Sequence, residues 1–296
     1  MLNTSPPLIV LGCGFTGAVV AGLRRASGGR VVATTRSPER AAELAQAGIE
    51  VSVLPALTAE AVDRLVTDGA DVLVAFPPDG ATDAAIAPSL RRARAIAYVS
   101  STAVYGDARG RIDEATPTSA DGPRAAARLA AEDVYRARGA VVLRAAGIYG
   151  PGRGLHQRLL RGDFRMTGEG DRQGRNVVSR IHVEDLARLA LAALERADRA
   201  APGEAFLVAD DAPVPQIEVV RWLCARLGLA LPAGAPREDL HETLRHDRAV
   251  DNAKIKRALG MALLYPSYIE GFEACLAVEA EAPAPAAGER APLHRG

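Results

Sequence analysis

Three glycines carry the first chemistry legible in this sequence. Gly12-x-Gly14-x-x-Gly17 follows directly on the apolar run Leu8–Leu11 and leads into residues 18–25, where Val19, Val20 and Leu23 recur at helical spacing. Strand, glycine turn and helix in that order make a cradle for the diphosphate of a dinucleotide. Gly12 lets the chain turn tightly off the strand. Gly14, without a Cβ, leaves room for the diphosphate, and Gly17 lets the helix pack close to the sheet. The helix start, with Phe15 and Thr16, offers unpaired N–H groups and the positive end of the helix dipole.

The next residues that could select a ligand lie at the end of the second strand. In a fold of this kind that place meets the adenosine ribose, and a carboxylate there selects NAD through the 2′-hydroxyl. The chain has Thr35, Arg36 and Ser37 instead, and no acid. A guanidinium fork matches a 2′-phosphate, so NADP is expected ahead of NAD. The competing reading is a solvated surface arginine, since Lys254 and Lys256 are the only lysines and, histidine aside, every other basic residue is arginine.

Other residues exclude functions. Lys plus Arg equals Asp plus Glu at 36 each, which gives no electrostatic case for nucleic acid or an anionic membrane. Cys13, Cys224 and Cys275 are far apart and odd in number, so they form neither a disulfide framework nor a metal-ligand set. Cys13 reads as a small filler in the turn. His241 and His246 are five apart and share no helix face, and His182 reads as a cap or core residue; no metal site is expected. The apolar stretch 8–23 is followed, not preceded, by Arg24 and Arg25, the wrong polarity for a secretory signal. No later run approaches a membrane span, and a cytoplasmic location is expected.

The elements that must position these residues alternate regularly. Strands are expected at 8–11, 30–35, 49–54, 72–76, 95–100 and 141–144, with helices at 18–25, 38–47, 60–68, 84–93 and 124–138. Strands separated by helices imply a parallel sheet covered on both faces. Ligands then sit beyond the carboxyl ends of the strands, which draws attention to Phe76, Pro77, Ser100, Tyr105 and Tyr149. After residue 150 the pattern loosens. A strand at 177–183, a helix at 184–197 and a last core strand at 205–209 are followed by a helix at 216–227 and another near Lys254. Residues 279–296, rich in Ala and Pro, are expected to be a disordered tail.

The chain resembles the extended short-chain dehydrogenase/reductase family, the group of NAD-dependent epimerases and dehydratases of nucleotide sugars. The resemblance runs from Leu8 to about Leu276. It rests on Gly12-Cys-Gly-Phe-Thr-Gly17, Ser100-Ser-Thr-Ala-Val-Tyr-Gly106, Leu143-Arg-Ala-Ala-Gly-Ile-Tyr-Gly-Pro-Gly152 and Arg180-Ile-His-Val-Glu-Asp-Leu186. It implies an α/β fold: a Rossmann doubly wound parallel sheet over 1–150, completed by 177–210, with a smaller C-terminal substrate lobe from 151–176 and 211–278.

Carried over residue by residue, the resemblance gives Ser101 as the hydroxyl that holds the reacting substrate oxygen. The family's Tyr-x-x-x-Lys, with a Glu four places later, aligns through Glu132 on Arg124 and Arg128. The acid–base tyrosine is therefore missing. An arginine stays protonated and cannot shuttle the proton, although Arg128 can still hold ribose hydroxyls. This is similar to the atypical members of the family that keep the glycines and lose the Tyr-Lys pair. Tyr149 or a water are the candidates for the acid, against Tyr149 as a packing residue. Two readings stay open: an NADP-binding epimerase-like or reductase-like enzyme, or a nucleotide-binding sensor or scaffold that lost the chemistry. Two arginines in the cleft imply a small anionic substrate, and a homodimer is left open.

Overall fold

The computed structural model describes residues 5–197, 202–240 and 244–281. Seven parallel strands form its centre: β1 (Leu8–Leu11), β2 (Val31–Thr35), β3 (Glu50–Val53), β4 (Asp71–Val74), β5 (Ala95–Ser101), β6 (Val141–Ala145) and β7 (Ala205–Val208), in the order β7-β6-β5-β4-β1-β2-β3. The order reverses between β1 and β4, and at such a switch point the loops diverge and leave a crevice.

Period-two alternation explains how the strands are buried on both faces. Leu8, Val10, Ala33, Leu73, Ala97, Val99 and Leu143 face one core, shared with α1 (Phe15–Ala26) and α7 (Val183–Glu195). Ile9, Leu11, Val72, Val74, Ile96, Tyr98 and Val142 face the other, with α3 (Ala59–Leu65), α4 (Ala81–Ile86) and α5 (Pro123–Arg136). Ser37 caps α2 (Pro38–Gln46), its Oγ accepting the Arg40 N–H at 3.1 Å. At the amino end of the sheet, away from the crevice, buried Asp71 pairs with Arg24 at 3.0 Å and Arg94 at 2.6 Å, tying α1 to the sheet.

A third core packs α6 (Leu155–Arg161), α8 (Gln216–Leu227) and α10 (Tyr268–Glu281) around Phe164, Met166, Leu223 and Phe272. Between α8 and α10, α9 (Ala253–Leu259) returns to the first core through Ile255 and Leu259.

Three local expectations are corrected. The helix expected at 84–93 is α4 followed by a 3-10 turn, Ala87–Arg92, because Pro88 lacks the N–H that would continue the ladder. The strand expected at 177–183 is two short pieces outside the main sheet. Val177–Val178 pairs antiparallel with Val214–Pro215, and Arg180–His182 pairs parallel with Gly147–Tyr149. Between them Ser179 turns to the strand Arg248–Val250, donating to the Arg248 carbonyl at 3.2 Å and accepting the Val250 N–H at 2.9 Å. Residues 279–281 belong to α10 instead of a disordered tail, held by Glu279; residues 282–296 lie outside the described residues, as does His241.

Candidate functional site

The glycine turn does three different things with its three glycines. Gly12 has φ +86°, and a Cβ there would lie 2.6 Å from Phe76 Cβ and 2.8 Å from the Phe76 nitrogen. The turn therefore needs glycine for its backbone and for the approach of the segment after β4. The Gly12 N–H is held by Thr34 Oγ1 at 2.9 Å, which fixes the turn to β2. At Gly17 a Cβ would meet the Gly12 carbonyl oxygen at 2.9 Å and Val10 Cγ1 at 3.0 Å, so α1 packs directly on β1. Gly14 is the opposite case: a Cβ would meet nothing within 4 Å. It is the N-cap of α1, with no side-chain cap and no acid in the first turn. The N–H groups of the first turn, from Phe15 to Gly17, thus open beside free space and suit an anion.

Beside the turn, β2 ends at Thr35, whose Oγ1 accepts the Ser37 N–H at 3.2 Å, while Ser37 Oγ donates to Glu39 at 2.5 Å. The Ser37 hydroxyl is thereby committed to capping α2. Arg36 is exposed. A second cation, not singled out from the sequence, lies here: Arg40, whose charge partly offsets the burial that pushes the Cys13 thiol up to about 11. Its signal was its spacing, four residues after Arg36 across the start of α2. Phe76 is half-buried and Pro77 exposed at the end of β4.

At the end of β5 two adjacent serines part company. Ser101 Oγ accepts the Ala103 N–H at 3.1 Å, capping the turn Thr102–Tyr105, and stays half-buried at the carboxyl end of β5. Ser100, expected at the cofactor, is turned into the interior. Its Oγ donates to Glu132 Oε1 at 2.5 Å, because successive side chains on a strand point to opposite faces. Glu132 also takes the Arg144 guanidinium, with Nη2 to Oε2 at 2.7 Å, and Arg144 Nη1 donates to the Tyr105 hydroxyl at 2.8 Å. Ser100 and Tyr105 are thus parts of a buried network linking β5, α5 and β6.

Arg124 and Arg128 sit in the first two turns of α5, whose N-cap is Gly122. Arg124 is exposed; Arg128 is half-buried and reaches back to the Val99 carbonyl at 3.5 Å. Beneath it Tyr98 is held protonated by burial, a shift that the charge of Arg128 opposes.

Tyr149 does not face the crevice. It is 3 % exposed, with its ring centroid 4.4 Å from that of Phe272 and 5.3 Å from that of His182. Its hydroxyl abuts Gly271 of α10 and has no hydrogen-bond partner among the described residues. Burial raises its pKa further from any working range, and of the two readings of Tyr149 these contacts fit the packing tyrosine, not the proton donor. His182 is a cap and a core residue: Nδ1 accepts the Glu184 N–H at 3.3 Å, and the other ring nitrogen lies 3.6 Å from Cys275 Sγ. Sequence reasoning also missed two buried charges near Tyr149, with Arg180 Nη1 and Asp210 Oδ2 lacking hydrogen-bond partners among the described residues. Arg180 and Asp210 are 6 % and 1 % exposed, and burial raises the Asp210 pKa to about 7 against the opposing charge of Arg180. Among the described residues no group of three His, Cys, Asp or Glu could hold a metal, and no helix is long and apolar enough to cross a membrane.

A parallel sheet in this order, with an open glycine turn at its switch point, defines a Rossmann-type protein with a nucleotide-binding architecture. A model of the NAD dependent epimerase/dehydratase family matches residues 8–209. The chain belongs to that family. Among solved structures it is similar to a functionally unknown conserved protein from Silicibacter pomeroyi DSS, at 32% identity and TM-score 0.77, covering 93% of this chain and 99% of the other. It is also similar to a putative NAD-dependent epimerase/dehydratase from Methylobacillus flagellatus, at 27% identity and TM-score 0.69, with the same coverage of 93% and 99%. A UDP-glucuronic acid 4-epimerase from Bacillus cereus in complex with NAD shares the fold at 18% identity and TM-score 0.73, covering 90% of this chain and 94% of that one. No curated protein matches.

Proposed function

We propose that this chain is an NADP-binding, epimerase-like or reductase-like enzyme of the atypical kind, acting on a small anionic substrate. The observation that carries the reading is the uncapped start of α1 beside Gly14, where free space meets unpaired N–H groups. The residues fit the cofactor: Gly12, Gly14, Phe15, Thr16 and Gly17 would hold its diphosphate, and Phe76 and Pro77 would border it. Thr35 and Arg36 would meet the adenosine ribose. When bound, the cofactor supplies a hydride acceptor or donor.

The chain's own residues do the rest. Arg36 is exposed and favours a 2′-phosphate over a 2′-hydroxyl, with Arg40, paired to Glu43 at 2.5 Å, one turn further on. Ser101 offers its O–H to a substrate oxygen, since the bond from Ala103 N–H uses only a lone pair. Arg128, anchored on Val99, takes the part of the missing lysine toward the ribose, and with Arg124 it biases the cleft toward anions. Water is the proton donor left by this arrangement.

A second reading, a sensor or scaffold without chemistry, draws support from the same fact: the Tyr98 and Tyr149 phenols are buried and hard to ionise. Calorimetric titration with NADP+ and NAD+ tests the cofactor reading. Wild type should prefer NADP+, and Arg36→Ala should remove most of the preference; equal affinity of wild type for both would refute NADP selection. Hydride exchange from NADPH to a panel of anionic carbonyl compounds and nucleotide sugars then separates enzyme from sensor.

A further inference from the structure

One cation at the glycine turn has no part in the reading above. The Arg153 guanidinium lies over the Phe15 ring, 5.1 Å from its centroid. The chain arrives there through a tight turn in which Gly150 N–H donates to the Arg153 carbonyl at 2.9 Å and Arg153 N–H returns the bond at 3.0 Å. Gly150 has to be glycine: a Cβ would lie 2.5 Å from Val183 Cγ1 and 3.1 Å from Phe15 Cζ. The loop Gly150–Gly154 therefore rests directly on the first residue of α1.

Its far side is tied down by the last turn of α10. Glu279 accepts the Gly152 N–H at 2.6 Å and the Gln157 amide at 2.7 Å, and lies 2.8 Å from Nε2 of the fully buried His156. Arg153 itself is exposed, and among the described residues no carboxylate pairs with it, in contrast to Arg24, Arg94 and Arg144. A guanidinium stacked on an aromatic face keeps its N–H donors in plane and available. The first turn of α1 that it overhangs has no charged side chain of its own.

We infer that Arg153 is a clamp for the diphosphate of the dinucleotide at the start of α1, and that Glu279 is the residue that positions it. The inference rests on the dinucleotide reading of the cleft. A diphosphate there receives the partial charge of the helix end and one full charge from the loop, whichever dinucleotide is bound. The clamp therefore acts on affinity without affecting the choice between NADP and NAD.

The test is calorimetric titration of the full chain with NADP+ and with NAD+, the fold of each variant being checked by circular dichroism. Arg153→Met, which can still cover Phe15, should weaken both ligands by the same factor, about tenfold or more for a lost charge-assisted contact. Arg153→Lys should recover most of that loss. Glu279→Ala should weaken both ligands by a smaller common factor, and much less so in the Arg153→Met background. Unchanged affinity in Arg153→Met, with Arg36→Ala still losing its NADP+ preference, overturns the clamp and leaves the cofactor reading intact. Equal losses in Arg153→Met and Arg153→Lys also overturn it, because packing and not charge would then be at work. A wild type that binds neither dinucleotide overturns both.

Discussion

Replacing Arg144 by methionine leaves the Glu132 carboxylate buried without its counter-ion. Glu132 is 1 % exposed, and Arg144 approaches it with Nε at 3.1 Å from Oε1 and Nη2 at 2.7 Å from Oε2. Ser100 supplies the remaining donor, and Arg144 also reaches the Tyr105 hydroxyl. Removing one partner of such a pair costs about 3–5 kcal/mol, and the lost bond to Tyr105 adds about 1 kcal/mol. Against a total stability of roughly 5–15 kcal/mol, that is a large fraction. Urea unfolding followed by circular dichroism should show the loss as a lower midpoint. Replacing both partners with leucine should restore most of it, since an apolar pair of similar volume avoids the desolvation of two charges. Ser100→Ala should cost about 1.5–3 kcal/mol, as for a bond to a charged acceptor, while NADP+ affinity stays unchanged. A loss under about 1 kcal/mol for Arg144→Met would refute the buried network as a structural tie. Weakened cofactor binding in Ser100→Ala, with stability intact, would return that serine to the site.

Asp210→Asn should change how stability depends on pH. Burial raises the Asp210 pKa from 3.8 to about 7, with Asp211 and Glu270 adding to the shift and Arg180 opposing it. Between those values the folded state holds a proton that the unfolded chain releases. Its stabilising share is thus complete below about pH 4 and lost as the pH rises through 7, up to about 4 kcal/mol in the limit; urea midpoints of wild type and variant that run parallel from pH 4.5 to 8 would contradict this. Arg128→Met should weaken NADP+ binding about tenfold with little change in stability, because the arginine is half-buried and its bond to the Val99 carbonyl is long, at 3.5 Å; unchanged affinity would move it out of the site. Arg124→Tyr combined with Arg128→Lys should gain hydride exchange with NADPH over the wild type, and no gain would show that more than this pair is lacking.

What the sequence made legible was whatever depends on local geometry. Gly12 and Gly17 were readable because a positive φ and a helix start packed on its own strand are consequences of neighbouring residues. The division of Ser100 from Ser101 was harder: alternation sends them to opposite faces, but which face is interior depends on α5 covering β5 with Glu132. Arg144 carried a signal, a charge in the middle of an apolar strand, which requires a buried partner. Tyr149 could not be placed from its own motif, because its direction is set by Gly271 on a helix far along the chain. The same distance hid Glu279, whose acidic side chain in an Ala- and Pro-rich stretch gave no hint that Gly152, His156 and Gln157 would converge on it. Ser179 broke an expected strand for a similar reason, its partners being Arg248 and Val250.

The central claim is that the start of α1 cradles the diphosphate of a dinucleotide, and Gly14→Val tests it most directly. A Cβ at Gly14 meets no protein atom within 4 Å, so the variant should fold as the wild type does by circular dichroism and thermal melting. Its new side chain would occupy the space beside the unpaired N–H groups of Phe15, Thr16 and Gly17. Calorimetric titration with NADP+ should give binding to the wild type and none measurable to Gly14→Val. Equal affinity of the two folded proteins would contradict the account.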